Sequence, residues 1–388
     1  MSVHLDLHAL QTLPPSNINR DDLGSPKTAT YGGVRRARVS SQSWKRAMRE
    51  KFTTAGLVPA EDLAVRTRHG IGLLATSLCT LRPGLGKEAA AEIAEKVLTQ
   101  ATGASTDTAA TRRKTTVTSA PPTKEILFLG HRQIDRLAAL AAEGADDITA
   151  FLKTRTNATA LTEAVRSADA VDIALFGRMI AAGDDLNVDA AVQVAHALAV
   201  HRTPVEADFF SAVDDLAHDT GAGMIGQREF TAPTLYRYAS LTGPDLATNL
   251  TAYAGAMTVQ TVTAAVVRVF AESLPSGSVT SYAHQTRPTV LIATVTGTPL
   301  SHAAAFETPV ETAAGGYLPA AAARLAEHAS ALSAAYGDPA AVSWILTTDP
   351  RASEPLHALA TRTATIGELA DTAAAELAAR TTTARAAA

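Results

Sequence analysis

Two widely separated segments of this sequence have the residue pattern of β-strands, and most of the sequence between them has a helical pattern. From Val3 to Ala9 apolar and polar residues alternate, which predicts a half-buried first strand. From Thr289 to Val295 the sequence is a short, mostly apolar run, which predicts a strand buried on both faces. Strands this far apart, with helical sequence between them, predict an α+β sheet domain that carries large insertions.

Positive charge is concentrated at the start of the chain. Residues 1–51 contain nine Lys and Arg against four Asp and Glu, a net charge of +5. All 388 residues together carry −4, so the remainder carries −9. A local basic region on an acidic chain predicts one dedicated anion-binding surface rather than a general affinity for nucleic acid. A solvated basic helix is the alternative interpretation of the charge count alone.

The basic region contains a predicted helix that follows Ser40, a favourable N-cap residue. Gln42, Lys45 and Arg49 share one face of this helix. The other face carries an apolar stripe formed by Trp44, Ala47, Met48 and Phe52. Side-chain cations and amides beside the free N–H groups of a helix start predict a surface that holds successive phosphates and reads few base edges.

Catalytic and metal-binding motifs are weak in this sequence. His196 and His201 are five residues apart, which does not place them on one helix face, and Cys79 stands in an apolar stretch typical of a buried thiol. The acid pair Asp21-Asp22 is more typical of a turn than of a metal site. We therefore predict no catalytic residue, no metal and no cofactor.

Targeting signals are not recognisable in the sequence. The residues after Met1 form neither a basic n-region nor an apolar h-region, and no uninterrupted apolar run is long enough to span a bilayer. A single cysteine does not support internal disulfides. These features predict a cytoplasmic protein without membrane contact.

Three blocks of sequence resemble the CasC backbone subunits of type I-E CRISPR Cascade complexes. The first block comprises residues 16–22 and 32–49, SNINRDD and GGVRRARVSSQSWKRAMR. The second comprises residues 171–179 and 187–197, VDIALFGRM and NVDAAVQVAHA, and the third residues 208–216 with Gly221 and Gly223. The agreement runs in order from the first strand to about residue 310, whereas residues 100–123 and the alanine-rich tail match poorly.

The resemblance implies a fold shaped like a right hand, with an RRM-like (ferredoxin-like) palm, helical fingers and a thumb hairpin. It divides the chain into residues 1–60, the first part of the palm with the basic helix; 61–185, the mostly helical fingers; 186–201, a palm helix; 202–233, the thumb hairpin; 234–310, the remainder of the palm; and 311–388, an alanine-rich helical C-terminal region. The usual RRM presents aromatic side chains to bases on its sheet, whereas the first strand has His4, Asp6 and His8. We therefore expect RNA on the helix and loop surface.

The resemblance also implies a function in antiviral defence: a non-catalytic subunit that oligomerises into a helical filament along a CRISPR RNA and presents it for pairing with target DNA. Its implied partners are CRISPR RNA, target DNA, further copies of itself, and the large, small, 5′-end cap and crRNA-processing subunits of Cascade. The candidate RNA-binding residues are Asn19, Arg20, Lys27, Arg38, Ser40, Gln42, Lys45, Arg46 and Arg49. The candidates for displacing bases at the thumb are Met179, Phe209, Phe210 and Val213.

Two other functions remain open at this stage. Backbone subunits of type III complexes resemble this fold and cut target RNA with a loop aspartate and a divalent metal, a role in which Asp21 or Asp22 is conceivable. A structural protein that oligomerises without nucleic acid is the third possibility. A filament that forms unchanged after nuclease treatment would favour it.

Overall fold

The computed structural model describes residues 2–107, 120–166, 168–180, 186–212, 224–312, 316–338 and 340–386 of the chain. Its strands are β1 (His4–Thr12), β2 (Thr28–Tyr31), β3 (Val34–Val39), β4 (Ala64–Thr67), β5 (Leu127–Gly130), β6 (Val192–Val194), β7 (Ala197–Ala199), β8 (Glu206–Ala212), β9 (Met224–Phe230), β10 (Thr234–Thr242), β11 (Val290–Thr296), β12 (Val342–Thr347) and β13 (Thr361–Arg362). Its helices are α1 (Ser41–Thr54), α2 (Gly70–Leu81), α3 (Lys87–Thr102), α4 (His131–Glu143), α5 (Ile148–Lys153), α6 (Arg155–Arg166), α7 (Val171–Phe176), α8 (Gly243–Asn249), α9 (Val259–Glu272), α10 (Val279–Tyr282), α11 (Leu318–Tyr336), α12 (Pro350–Ser353) and α13 (Ile366–Ala386). Short 3-10 helices cover Ala60–Asp62, Leu250–Ala252, Ala303–Phe306 and Glu354–Leu356.

The chain divides into two compact units. The first consists of Met1–Ala55, Val192–Pro244 and Thr263–Ala388, and the second of Gly56–Ala191 and Asp245–Val262. The first unit contains the central sheet, and the second contains helices α2 to α7 with the β4–β5 pair. The α+β prediction is confirmed, because a sheet assembled from distant parts of the chain is combined with a large, mainly helical insertion. Residues 245–262, predicted as palm, belong to the second unit.

The sheet of the first unit runs in the order β13-β12-β11-β1-β10-β7-β3-β2, and β6 also pairs with β10. Every pair is antiparallel except β12–β13, so the sheet is mixed. Strand β1 is central and pairs with β10 along its whole length, from His4 opposite Thr242 to Thr12 opposite Thr234. The first strand of the sequence is therefore the strand around which the distant segments assemble.

Strand β1 is buried on both faces, so the prediction of a half-buried first strand is wrong. Asp6, His8 and Leu10 lie on the face that packs against α11 and the 3-10 helix Ala303–Phe306. On the other face the strand neighbour Arg237 contacts residues of α1 and α9. The polar residues Asp6 and His8, which alternate with apolar ones in β1, are buried with hydrogen-bond partners and do not form a solvated face. Strand β11 is buried on both faces, as predicted.

The segment 186–201 is not the predicted palm helix. It contains the short strands β6 and β7, both of which pair with β10. Val192 and Val194 favour a strand, and pairing with a distant strand overrides the weak helical pattern of the local sequence.

The region 311–388 also differs from its purely helical prediction. Strand β12 lies between helices α11 and α13 in the chain and extends the central sheet beside β11.

The second unit is built around its own apolar core. Helices α2, α3, α4 and α6 contribute aliphatic and alanine side chains, among them Leu74, Leu78, Val97 and Leu137. The short antiparallel β4–β5 pair, whose strands are separated in sequence by α2 and α3, packs beside them. Alanine at many core positions permits close helix packing in a chain that is only 5% aromatic. Across the described residues, we find no helix with the length and apolarity that a bilayer crossing requires.

Candidate nucleic-acid interface

Helix α1 has one buried and one exposed face, which confirms the predicted apolar stripe. Its buried residues are Trp44, Ala47, Met48 and Phe52. The Trp44 ring lies 3.7 Å from the guanidinium carbon of Arg237, which contacts Phe270 on its other side. This packing fixes the rotation of α1 and leaves its opposite face exposed.

The start of α1 is held by Ser40 and Asn19. The Ser40 hydroxyl oxygen accepts the Ser43 N–H at 3.4 Å, and the Ser40 N–H donates to Asn19 Oδ1 at 2.8 Å. The carbonyl of Asn19 also accepts the backbone N–H of Lys27 at 2.9 Å. Ser40 is only 5% exposed. Ser40 and Asn19 therefore hold the start of α1 in place at this surface.

The exposed face of α1 carries Gln42, Lys45 and Arg49. Gln42 is exposed, and the two cations are half-buried. Partial burial lowers the pKa of Lys45, because removing water disfavours the ammonium form. In the described parts of the chain Lys45 has neither a hydrogen bond nor an ion pair. An anionic ligand at this point would restore the stabilisation that the ammonium group loses through burial.

Arg46 and Arg20 line a cleft beside α1 with a volume of about 630 Å³. Arg46 also donates to Glu50 at 2.8 Å on the exposed helix surface, an i,i+4 pair that contributes only about 0.3–0.5 kcal/mol. Asp21 and Asp22 line the same cleft, so its charge is mixed. The structure therefore brings these two arginines together, but next to carboxylates rather than in a purely basic pocket.

Lys27 and Arg38 lie side by side with His196. The Arg38 N–H donates to the Lys27 carbonyl at 2.9 Å, and the Arg38 guanidinium donates from Nη1 to His196 Nδ1 at 2.9 Å. Partial burial and the charges of Arg38 and Lys27 lower the pKa of His196. The three side chains come from the end of the 20–27 loop, from β3 and from the link between β6 and β7.

One arginine of the basic region is structural. Arg36 is fully buried and donates to four carbonyl oxygens, those of Tyr31, Ala199, Phe306 and Glu307 at 2.9–3.3 Å. Contacts within the protein also explain the glycine at position 32. Gly32 adopts φ +57° in the β2–β3 turn, and a Cβ there would lie 1.6 Å from the Glu307 oxygen. The chain itself, not a ligand, therefore explains this glycine.

Strands β8 and β9 form an antiparallel hairpin within the segment predicted as the thumb. Phe209 is 70% exposed on one face, whereas Phe210 on the other face covers Gly226 and lies under the guanidinium of Arg228 at 5.3 Å. The structure thus separates these two phenylalanines: one is available to a partner, and the other packs on its own hairpin. The candidate Val213 lies outside the described residues.

Met179 is held in an exposed position by the residues around it. It is 84% exposed, while the adjacent Arg178 is buried and donates to the carbonyls of Leu186 and Val165 at 3.0 and 2.7 Å. Arg178 also exchanges both backbone hydrogen bonds with Val188. Burial lowers the pKa of Arg178 to about 10, yet the carbonyl partners satisfy its N–H groups. An exposed methionine on such a supported segment is suited to contact a partner.

The acid pair in the 20–27 loop has a local role. Asp21 Oδ1 accepts the backbone N–H groups of Leu23 and Ser25, both at 2.9 Å, and thereby forms the turn. Within the described ranges, no three or more His, Cys, Asp or Glu side chains are grouped closely enough to hold a metal ion.

Two residues at the candidate surfaces were missed by the sequence reasoning. The sequence pattern does not indicate an RNA-binding role for His196, because its contact with Arg38 follows from β3–β7 pairing that no local pattern reveals. Ile225 is 75% exposed on the Phe209 face of the hairpin. The alternation of side chains along β9 places Ile225 on one face of the strand. To know that this is the face of Phe209, one needs the register of the hairpin.

Comparison with known proteins places the chain in one family. Residues 5–372 match the family described as CT1975-like protein. A chain from a solved "CRISPR RNA-guided surveillance complex, pre-nicking" is 36% identical with a TM-score of 0.83, and the alignment covers 96% of this chain and 100% of that one. A chain from a second "CRISPR RNA-guided surveillance complex" is 33% identical with a TM-score of 0.72, covering 96% and 99% of the two chains. Among curated proteins no match is found. The chain belongs to the CT1975-like protein family.

Proposed function

We propose that this chain is the CRISPR RNA-binding backbone subunit of a type I-E Cascade complex. The observation that carries the proposal is the half-buried Lys45, which has no anionic partner in the described residues and lies on the exposed face of α1 with Gln42 and Arg49. The similarity to chains of RNA-guided surveillance complexes supports the same ligand.

The surface is suited to hold the RNA backbone without reading bases. Lys45 supplies a point charge and Arg49 a guanidinium, which bind phosphate oxygens, while the Gln42 amide bonds to phosphate or ribose. A subunit that repeats along guides of any sequence needs this kind of contact. Sequence recognition is then left to pairing between the guide and invading DNA.

The sheet itself does not take part in RNA binding in this proposal. An RRM binds bases through exposed aromatic residues on its sheet, but Asp6 and His8 are covered by α11 and the Ala303–Phe306 segment. RNA therefore lies on the helix and loop surface around α1. The RRM-like description of the palm remains part of the proposal.

The β8–β9 hairpin acts as the thumb, and Met179 supports a displaced base. Phe209 and Ile225 present exposed apolar groups on one hairpin face, and an exposed apolar group is favourable when it meets a base or a protein partner. Wedging between bases costs a few kcal/mol of stacking, which apolar contacts offset in part. In the assembled filament, the hairpin of one copy interrupts the guide held by the next.

The proposed subunit is not an enzyme and needs no cofactor. Asp21, one of the two aspartates considered for a type III mechanism, accepts two backbone hydrogen bonds with one carboxylate oxygen, which supports a turn-forming role. Its proposed partners are further copies of itself and the other Cascade subunits, in the cytoplasm.

Co-purification with RNA tests the proposal. The protein, expressed with its guide and neighbouring subunits, should carry RNase-sensitive nucleic acid. Reversing charge in the Lys45→Glu/Arg49→Glu variant should remove that RNA, whereas Lys87→Glu/Lys96→Glu on the exposed surface of α3, an equal change of net charge, should not. Full RNA retention by the α1 variant, or equal loss by both variants, would contradict the proposed surface.

A further inference from the structure

The geometry at the end of β3 assigns a role to a histidine outside the α1 surface. Lys27 and Arg38 are joined by a backbone hydrogen bond, and pairing of Arg38 with Leu198 brings the β6–β7 link, with His196, next to them. No carboxylate pairs with any of these three side chains in the described parts of the chain. Two cations and a polar ring without a counter-ion favour an anionic ligand.

The hydrogen bond between Arg38 and His196 has only one possible direction. A guanidinium has five N–H donors and no acceptor, so His196 Nδ1 must accept the proton from Nη1. His196 therefore carries its own proton on Nε2 and is neutral in this arrangement. The lowered pKa of His196 agrees with a neutral ring beside two cations.

This hydrogen bond leaves most of the guanidinium available. Nη1 donates to His196, and Nε donates to the Thr28 carbonyl at 3.4 Å, so two of the five N–H groups are used within the protein. The other three have no partner in the described residues. They form the planar array that binds two oxygens of one phosphate group.

We propose that His196 is a positioning residue, which accepts from Arg38 and thereby holds its free N–H groups toward a phosphodiester of the bound RNA. The inference rests on the proposed function, since the ligand is the guide backbone. Without His196, the Arg38 side chain can adopt several rotamers. Binding to a phosphate must then offset the entropy lost when the side chain is ordered.

A double-mutant cycle tests this role. Binding of a labelled CRISPR RNA of fixed sequence to the full chain should weaken about tenfold in Arg38→Ala and nearly as much in His196→Ala. The Arg38→Ala/His196→Ala variant should bind no more weakly than Arg38→Ala alone, because His196 acts through Arg38. His196→Asn keeps an acceptor near the Nδ1 position and should bind close to the wild type.

The controls separate the possible failures. His131→Ala, at another exposed histidine, should bind like the wild type, and all variants should unfold at similar denaturant concentrations. Unchanged binding by His196→Ala, additive losses in the double variant, or failure of His196→Asn to restore binding would each overturn the positioning role while the proposed function stands. Absence of RNA binding by the wild type would overturn both.

Discussion

At the level of single residues, Trp44 and Arg237 determine where the exposed surface of α1 points. Arg237 is buried, donates to Gln11 Oε1 at 2.7 Å and lies between the rings of Trp44 and Phe270. Burial lowers its pKa to about 9, and the charged form is stabilised by this hydrogen bond, by a second one from Nη2 to the Phe270 carbonyl and by the two aromatic rings. Removing either ring therefore affects packing and charge together.

We predict that Trp44→Ala destabilises the protein by about 3 kcal/mol or more, because it leaves a large cavity beside a buried guanidinium. Urea unfolding measures the effect. Lys45→Ala serves as the control and should stay within about 0.5 kcal/mol of the wild type, since it empties no core space. Equal stability of both variants would mean that Trp44 does not anchor the helix.

The loop acids provide a second prediction at this scale. The purified chain with its guide should not cleave target RNA or DNA in Mg²⁺ or Mn²⁺, because Asp21 is used in a turn and no three His, Cys, Asp or Glu side chains of the described residues are grouped closely enough to hold a metal ion. Gel assays with labelled targets measure this. Cleavage that disappears in Asp21→Ala or Asp22→Ala would instead support the type III function.

At the level of elements, the β8–β9 hairpin combines a stable framework with exposed apolar side chains. Its two strands pair over seven residues each, and Phe210 and Arg228 pack on one face. Phe209 and Ile225 on the other face contact little of the protein itself. Substitutions on that face therefore change contacts with partners more than they change folding.

We predict that Phe209→Ser/Ile225→Ser abolishes evenly spaced hyper-reactive nucleotides in the loaded guide, because the hairpin then lacks the apolar group that displaces a base. Chemical probing of the assembled RNA measures this. Tyr336→Ser, which removes another exposed aromatic ring at the end of α11, is the control and should leave the pattern intact. Survival of the spacing in the hairpin variant would remove this face from the thumb function.

A cluster of one buried and two half-buried histidines connects α11 to the sheet. The rings of His8 and His302 are 4.8 Å apart, His302 and His328 are 5.5 Å apart, and His8 hydrogen-bonds to Tyr236 at 2.9 Å. Burial lowers the pKa of His8 and, together with the charge of His328, lowers the pKa of His302 to about 4. Burial therefore favours the neutral form of His8 and His302 in the folded state.

The direction of the pH effect follows from these shifts. The unfolded chain protonates His302 below about pH 6.5, but the folded chain resists this protonation down to about pH 4, so stability falls across this interval as the pH is lowered. The lowered pKa of His8 acts in the same direction. Burial raises the pKa of Asp6 on the same face, an effect of the opposite sign.

We therefore predict a lower urea midpoint at about pH 5 than at about pH 7, and a smaller difference in His302→Phe. His131→Gln, at an exposed site, is the control and should retain the wild-type difference. The same pH dependence in the wild type and in His302→Phe would show that another group causes it.

Local patterns predicted α1 well and the strands β6 and β7 poorly. The stripe from Trp44 to Phe52 depends on helical spacing alone, which the sequence contains. The strands β6 and β7, the burial of Arg36 and the contact of His196 with Arg38 all depend on pairing between distant segments. No window of local sequence contains that information, and the same holds for the hairpin register that exposes Ile225.

At the level of the whole molecule, the charge distribution limits where a polyanion binds. The first 51 residues carry +5 and the rest of the chain −9, so phosphates are attracted to the α1 and β3 cations and repelled by the acidic remainder. Because Arg36 is buried, fewer cations are available than the sequence count suggests. Affinity should therefore depend on a small number of phosphate contacts.

The salt dependence of guide binding, measured with several spacer sequences, tests the central claim most directly. With about five phosphate contacts in each subunit, log K should fall with log[salt] at a slope of about −3.5, and the slope and affinity should be nearly equal for all spacers. Removing one contact in Lys45→Ala should make the slope less steep by about 0.7. A flat salt response, or strong preference for one spacer sequence, would contradict the conclusion that this subunit holds the guide by its backbone.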